Sequence, residues 1–145
     1  MPRRASEIPE STLRLLLTSG LGPITLRRLR AYFGDDDRIV RASVAELDQV
    51  EGIGLETAQS LRREFDSADI QAEVKAMDAQ NVGLVLLDDA DYPPLLSSIA
   101  DPPSALWVRG SFDAADRLGV AVVGSRKCTA YGRDQAGRLA ALLAQ

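Results

Sequence analysis

The chain has 145 residues, 46% of them hydrophobic, with one cysteine, no histidine and a formal net charge of −4. This is the composition of a globular protein with one ordinary domain or two small ones, and no apolar run approaches the roughly 18–20 residues that span a membrane. The lack of histidine excludes Ser-His-Asp and Cys-His nucleophilic systems and His-ligated metal sites, and a lone cysteine favours a reducing cytoplasm.

The first part of the chain has the pattern of short amphipathic helices. Residues 1–8 are expected to be a loose terminus. Helices are predicted over 9–18 and 23–33, and Asp35-Asp36-Asp37 is expected to cap a short helix containing Ile39 and Val40. Further helices are predicted after the capping pattern Ser43–Glu46, around 55–65 with Ala58, Leu61 and Phe65 inward, and from a Ser67 cap to about 80. Together they predict a helical bundle over residues 9–80.

From Asn81 the pattern changes to short strands separated by proline breaks. Strands are predicted over 82–87, 105–109 and 119–123, followed by a helix from about Tyr131 to the end of the chain. Trp107 lies in the middle of a strand and is expected in the core. Asp88, Asp89 and Asp91 are interpreted as a strand-ending turn rather than as ligands of Mg²⁺ or Ca²⁺.

The strand predicted over 119–123 is apolar on both faces, which implies cover by helices. The chain holds too few helices after this strand to provide that cover. We therefore expect residues 81–145 to be an incomplete N-terminal part of a Rossmann-like domain within a longer protein.

The segment Gly124-Ser125-Arg126-Lys127 follows that strand and precedes the last helix. In open α/β sheets this edge binds ligands, and backbone N–H groups at a helix start suit phosphate. The P-loop and dinucleotide-binding fingerprints are absent. The residues alone leave open DNA phosphate, nucleotide phosphate, or a structural role in which Arg126 pairs with an acidic neighbour. Cys128 is expected to be a small packing residue.

Two Gly-x-Gly pairs, Gly20/Gly22 and Gly52/Gly54, lie 32 residues apart, and each precedes a predicted helix. This spacing indicates a tandem helix-hairpin-helix, in which glycines permit a tight turn and close approach of the backbone to phosphate. The first copy carries Arg27 and Arg28 and is a candidate phosphate contact. Glu51 and Glu56 flank the second copy, for which we favour a structural role.

The charge is distributed unevenly along the sequence. Residues 1–64 carry ten basic and ten acidic side chains, residues 65–105 one and eight, and residues 106–145 six and three. Phosphate affinity depends on local cations rather than on net charge. Both ends of the chain therefore remain compatible with nucleic-acid binding.

Several motifs of residues 92–132 resemble the DNA-processing protein A (DprA, or Smf) family. They are Tyr92-Pro93 followed by leucines, Asp101-Pro102-Pro103-x-x-Leu106-x-x-Arg109-Gly110, Val120-Ala-Val-Val-Gly124-Ser125-Arg126-Lys127, and Tyr131-Gly132. The tandem hairpins before them are similar to the sterile-alpha-motif-like domain common in that family. The resemblance covers about residues 10–145, and the chain ends before the family's later Ser-Gly-x-Ala-x-Gly loop.

The resemblance implies a single-stranded DNA-binding protein of natural transformation that protects incoming strands and helps load the RecA recombinase. It implies an extended Rossmann-like core and no enzymatic activity. Separately, no cofactor and no metal are expected. Dimerisation would use the later part of the family's domain. By motif position Gly124, Ser125 and Arg126 would bind phosphate, with Lys127 as an adjacent cation.

From their positions near these features, Arg27, Arg28, Tyr131 and Arg133 are secondary candidates for DNA contact. Two other functions remain as alternatives. One is a Rossmann-like nucleotide hydrolase or phosphoribohydrolase, and the other is a helical module that docks a protein partner.

Overall fold

The computed structural model describes residues 1–113 and 119–144. Met1–Phe112 form one compact unit, and the described residues of Asp113–Gln145 form a second. The elements are α1 (Glu10–Leu17), α2 (Pro23–Phe33), α3 (Asp36–Arg41), α4 (Val44–Asp48), α5 (Leu55–Ser67), α6 (Ile70–Gln80), β1 (Val82–Leu86), α7 (Pro94–Ser97), β2 (Ala105–Arg109) and α8 (Ala130–Leu143). The predicted class, a helical region followed by mixed α and β structure, is confirmed. Gln145, included in the last predicted helix, lies outside the described residues.

The helix starts follow local capping chemistry. The Asp35 carboxylate accepts the N–H of Arg38 at 2.8 Å, and Ser43 with Glu46 forms the predicted capping box. The prediction of Ser67 as the cap of α6 is wrong, because Ser67 is the last residue of α5. Asp69 caps α6 instead, since its carboxylate reaches the amide three residues further on.

The larger hydrophobic core lies among α1–α5. Its fully buried members are Leu15, Leu26, Leu29, Ile39, Ala42, Leu47, Val50, Ile53, Ala58, Leu61 and Phe65. The predicted inward face of α5 is confirmed. The core also shows the repeat of the two glycine pairs, because the residues four, seven and eleven positions after Gly22 and Gly54 all turn inward: Leu26, Leu29 and Phe33, then Ala58, Leu61 and Phe65.

A second core joins α1 and α6 to the sheet. It contains Leu13, Ile70, Met77, Leu84 and Ala105. β1 and β2 are antiparallel neighbours, and Leu84 stands opposite Trp107 in the register. β2 is the last regular element of the first unit.

Residues 1–8 are ordered, which corrects the prediction of a loose terminus. The N–H of Arg3 donates to the carbonyl of Leu84 at 2.7 Å, and the N–H of Leu84 returns a bond of 2.8 Å to Arg3. Ala5 and Ile8 are buried in the second core. The segment covers the edge of β1 that β2 leaves unpaired, and this satisfies backbone groups that a propensity argument does not count.

The strand predicted over 119–123 is not formed. Residues 119–125 have no regular secondary structure, and Val123 is 90% exposed. A parallel strand depends on hydrogen bonds from neighbouring strands. The described residues of the second unit contain one helix and no strand, so the apolar run has no ladder partner within that unit.

Trp107 is not a core residue, contrary to the sequence prediction. Trp107 lies on the same face of β2 as the buried Ala105, yet the residue is 41% accessible. The indole N–H donates to the Glu73 carboxylate of α6 at 2.8 Å. If the ring moved into the core, the indole N–H would lose this acceptor. The hydrogen bond to α6 therefore favours a position of the ring at the margin of the sheet.

Candidate nucleic-acid interface

The Gly124–Lys127 turn lies in the second unit, immediately before α8. Arg126 and Lys127 form the turn itself, and all four residues are exposed. The Ser125 hydroxyl accepts the N–H of Lys127 at 3.3 Å. This contact bends the backbone locally, so that two cationic side chains leave adjacent positions of one short turn.

A threonine cap connects the turn to α8. The Thr129 hydroxyl accepts the N–H of Gly132 at 3.1 Å, and the Thr129 carbonyl accepts the N–H of Arg133 at 3.0 Å. The N–H of Gly132, one of the amides at the helix start that were expected to face a phosphate, is therefore already bonded to Thr129. Tyr131 and Arg133 are both exposed in the first turn of α8.

The cations around the turn lack an acidic partner among the described residues of their own unit. Arg126, Lys127 and Arg133 form no ion pair with any residue in the ranges 1–113 and 119–144, whereas Arg138 further along α8 pairs with Asp134 at 3.1 Å. Among the described residues of the second unit, Arg126 thus has no acidic partner. Cys128 is exposed rather than packed, because the described residues of this unit contribute no buried hydrophobic cluster.

The two predicted contacts on α2 have different environments. Arg27 is exposed and has no hydrogen bond or ion pair among the described side chains. Arg28 donates to the backbone carbonyl of Glu51 at 3.3 Å, and its guanidinium lies against Gly52, where a Cβ would be 2.0 Å from Nη1. Arg28 thus joins the first hairpin (Gly20–Gly22) to the second (Gly52–Gly54).

Arg30, next on α2, is part of a half-buried network. Its guanidinium donates two hydrogen bonds of 2.8 Å to Asp36, which also accepts the hydroxyl of Thr12 at 2.8 Å. Burial acts to raise the pKa of Asp36, but the hydrogen bonds from Arg30 and Thr12 and the charge of Arg30 outweigh it and lower the pKa. Arg30 therefore has a structural role and is not available to bind a ligand.

The aspartates after β1 form the predicted turn. The Asp89 carboxylate accepts the N–H of Leu86 at 2.9 Å and pairs with Arg3, and the Asp89 carbonyl accepts the N–H of Tyr92. Burial raises the pKa of Tyr92, whose hydroxyl donates to the carbonyl of Pro103 at 2.8 Å. These partners give the acidic group a structural role.

A concave surface that the sequence analysis did not single out lies at the junction of α2, α3 and α4. We call it the Tyr32 surface, and its lining consists of Tyr32, Phe33, Arg38, Arg41, Ala42 and Glu46. The repeat of the two glycine hairpins is the sequence feature from which the exposure of Tyr32 could have been predicted. Tyr32 takes the position of Glu64 in the second copy, which faces away from the core, so an aromatic ring at this position is exposed.

None of the helices in the described ranges has the length and apolar character needed to cross a membrane. The longest, α8, has 14 residues.

Comparison with known proteins identifies the class to which these features belong. Residues 83–145 match the model of a family described as DNA recombination-mediator protein A. Over this segment the chain belongs to that family, and the resemblance predicted from its motifs is confirmed.

Individual relatives agree with this assignment. The chain is 29% identical over 117 residues to protein Smf of Synechocystis, covering 78% of this chain and 29% of that protein. It is 30% identical over 122 residues to protein Smf of Escherichia coli, covering 80% of this chain and 32% of that protein. The chain thus spans about a third of the length of these curated relatives.

A DNA ligase of Bifidobacterium adolescentis is also similar, being 48% identical over 48 residues, which cover 33% of this chain and 5% of the ligase. No solved structure matches the chain significantly.

Proposed function

We propose that the chain is part of a protein of natural transformation that binds single-stranded DNA through the Gly124–Lys127 turn. One observation carries the proposal: Arg126 and Lys127 are adjacent, exposed and without an ion pair in the described ranges. A nucleic-acid backbone offers the closely spaced negative charges that such a pair of cations attracts, and binding releases counterions.

The surroundings of the turn support a nucleic-acid ligand. Arg133 adds a third exposed cation, and Tyr131 adds a ring that is 73% exposed, on which a base could stack. The family is described by its role in DNA recombination, and the name of a further relative is DNA ligase. Neither of these descriptions refers to nucleotide hydrolysis.

For the whole protein we propose the partners and setting that the family resemblance implies. Protected single strands would be passed to the RecA recombinase in the cytoplasm, and a homodimer would form through the later part of the family's domain. The protein would act by binding rather than by catalysis. The helical first unit would contribute a weaker contact through Arg27, with Arg28 serving mainly to join the hairpins.

The test compares a double variant of the turn with a charge-matched control. Arg126→Ala with Lys127→Ala removes two cations from the turn, whereas Arg63→Ala with Lys75→Ala removes two exposed cations from α5 and α6. Binding of an oligo(dT) strand is followed by fluorescence anisotropy over a series of salt concentrations.

We expect the turn variant to lose affinity, with the slope of log K against log salt falling by about 1.4, since each phosphate contact on a single strand contributes about 0.7. The control should keep the slope of the unaltered chain. Equal slopes for the turn variant and the unaltered chain would contradict the proposal.

A further inference from the structure

The Tyr32 surface presents an aromatic ring to solvent on the first unit. Tyr32 is 56% exposed, and its ring meets the edge of the Phe33 ring with centroids 4.9 Å apart at 69°. Phe33 is half-buried against the larger core. The half-buried Phe33 therefore supports the tyrosine ring from one side and leaves the rest of the ring accessible.

Two arginines from α3 line the same concavity. Arg38 is held by Asp35 at 3.3 Å, but its side chain is 74% exposed. Arg41 is exposed and has no ion-pair partner within the ranges that the structure describes. An exposed surface pair such as Arg38–Asp35 is weak, so a phosphate can replace the carboxylate at little cost.

Glu46 is the one acidic residue in the lining. Its carboxylate is already used by the capping box, where it accepts the backbone N–H and the hydroxyl of Ser43 at 2.8 and 2.7 Å. The hydrogen bond from the Ser43 backbone, and then that from its hydroxyl, lower the pKa of Glu46, which keeps it anionic. The lining still carries two guanidinium groups against this one carboxylate.

We infer that the Tyr32 surface is a second binding site for single-stranded nucleic acid, with Tyr32 stacking on a base and Arg38 and Arg41 contacting phosphates. The inference relies on the proposed function only for the class of ligand. An acidic peptide would use the arginines but gains little from a flat exposed ring, whereas every nucleobase offers a π-face. The combination of ring and cations therefore favours nucleic acid.

The inference is tested by replacing the aromatic ring of Tyr32 and the guanidinium of Arg41 separately in the full 145-residue chain. Stacking on a base is worth about 1–3 kcal/mol, so Tyr32→Ala should weaken oligo(dT) binding about fivefold or more. Tyr32→Phe keeps the ring and should bind within about twofold of the unaltered chain. Arg41→Ala should lower the salt slope by about 0.7, and Arg63→Ala is its charge-matched control.

A second measurement locates the strand directly and separates this inference from the proposed function. An oligonucleotide with 5-iodouracil in place of thymine is crosslinked by ultraviolet light, and the attached peptide is identified by mass spectrometry. Crosslinks at Tyr32 support the inference, and they should persist in the Arg126→Ala/Lys127→Ala variant. Crosslinks confined to residues 124–133, with Tyr32→Ala binding normally, would overturn this site and leave the proposed function intact.

The remaining outcomes also support or overturn one of the two proposals. Crosslinks at Tyr32 together with unchanged binding by the turn variant would support the second site and refute the turn. Binding of a polyglutamate peptide in preference to both oligo(dT) and oligo(U) would overturn nucleic acid as the ligand of the Tyr32 surface. An unaltered chain that binds neither oligonucleotide would overturn the site and the proposed function together.

Discussion

The two hairpins of the first unit have nearly the same backbone. The first glycine of each pair has a positive φ, +77° for Gly20 and +80° for Gly52, which L side chains rarely adopt. The second glycine is extended in both, and the helix begins at the next residue. The first helical hydrogen bonds match as well, at 3.0 Å for Leu26 to Gly22 and 2.9 Å for Ala58 to Gly54.

The exposed chemistry of the two hairpins differs. Arg27 and Arg28 of α2 correspond to Gln59 and Ser60 of α5, and Glu56 stands where the first copy has Ile24. The glycines and the inward leucines thus specify the shape of both copies, whereas the exposed positions decide which copy can attract a phosphate. Equal geometry does not imply equal function.

The largest expected effect tests whether matching positions of the two hairpins contribute equally to the larger core. Leu29 and Leu61 occupy matching positions and are 0% and 2% exposed. Leu29→Ala and Leu61→Ala should each lower the free energy of unfolding by about 2–5 kcal/mol, through lost burial and the cavity left behind. Urea denaturation measures both, and a loss in only one of the two variants would break the comparison.

A smaller effect on stability is expected at the arginines that occupy matching positions in the two hairpin copies, because their hydrogen-bond partners differ. Among the described residues Arg30 binds only the Asp36 carboxylate, whereas Arg62 donates to the carbonyl groups of Val40 and Ala42 and also pairs with the exposed Asp66 carboxylate. Asp36→Asn should lower the free energy of unfolding by about 1–3 kcal/mol at neutral pH, because it removes charge-assisted hydrogen bonds. Asp37→Asn, at an exposed neighbouring position, should cost less than about 0.5 kcal/mol.

The sign of the pH dependence follows from the lowered pKa of Asp36. Its stabilisation is fully present above its unfolded pKa, near 3.8, and is lost as the pH falls through the lower folded pKa. The difference in stability between the unaltered chain and Asp36→Asn should therefore shrink on acidification below about pH 4. A difference that stays constant down to pH 2 would show that the carboxylate is not stabilised as its contacts indicate.

The glycine positions test the shared backbone. Gly20→Ala and Gly52→Ala should each cost about 1–2 kcal/mol of stability, because both need a left-handed φ. Gly22→Ala, at an ordinary φ of −75° with open space around it, is the control and should cost below about 1 kcal/mol. At Gly52 the flexible Arg28 can move aside, so that a much larger loss there than at Gly20 would mean that Arg28 is fixed.

The smallest expected effect concerns phosphate attraction at the two hairpins. Arg27→Ala should reduce the salt slope of single-stranded DNA binding by about 0.7, and Gln59→Ala at the matching position should leave it unchanged. Fluorescence anisotropy with oligo(dT) measures both. Unchanged binding for Arg27→Ala would leave both hairpins with a purely structural role, and the helix-hairpin-helix interpretation would then concern shape alone.

Local patterns in the sequence were sufficient for most helices and for several caps. The predicted strands over 82–87 and 105–109 were found within a residue of their ends, since each is bounded by turn residues. The sequence predictions that were wrong concern contacts between residues that are distant in the chain. The pairing of Arg3 with Leu84 and the absence of a strand over 119–123 depend on which backbone edge finds a partner. The exposure of Trp107 accompanies a side-chain hydrogen bond to Glu73 on another element. Periodicity encodes neither.

The candidate site divides in the same way. The sequence by itself determined the turn with Arg126 and Lys127, the two glycine hairpins and the family resemblance, because these are patterns of adjacent residues. Only the tertiary structure decided that Arg28 and Arg30 are held by the fold, and that Tyr32, Arg38 and Arg41 line one surface. The reason is physical: a side chain's charge is fixed by its chemistry, but its availability to a ligand depends on neighbours that are distant in the chain.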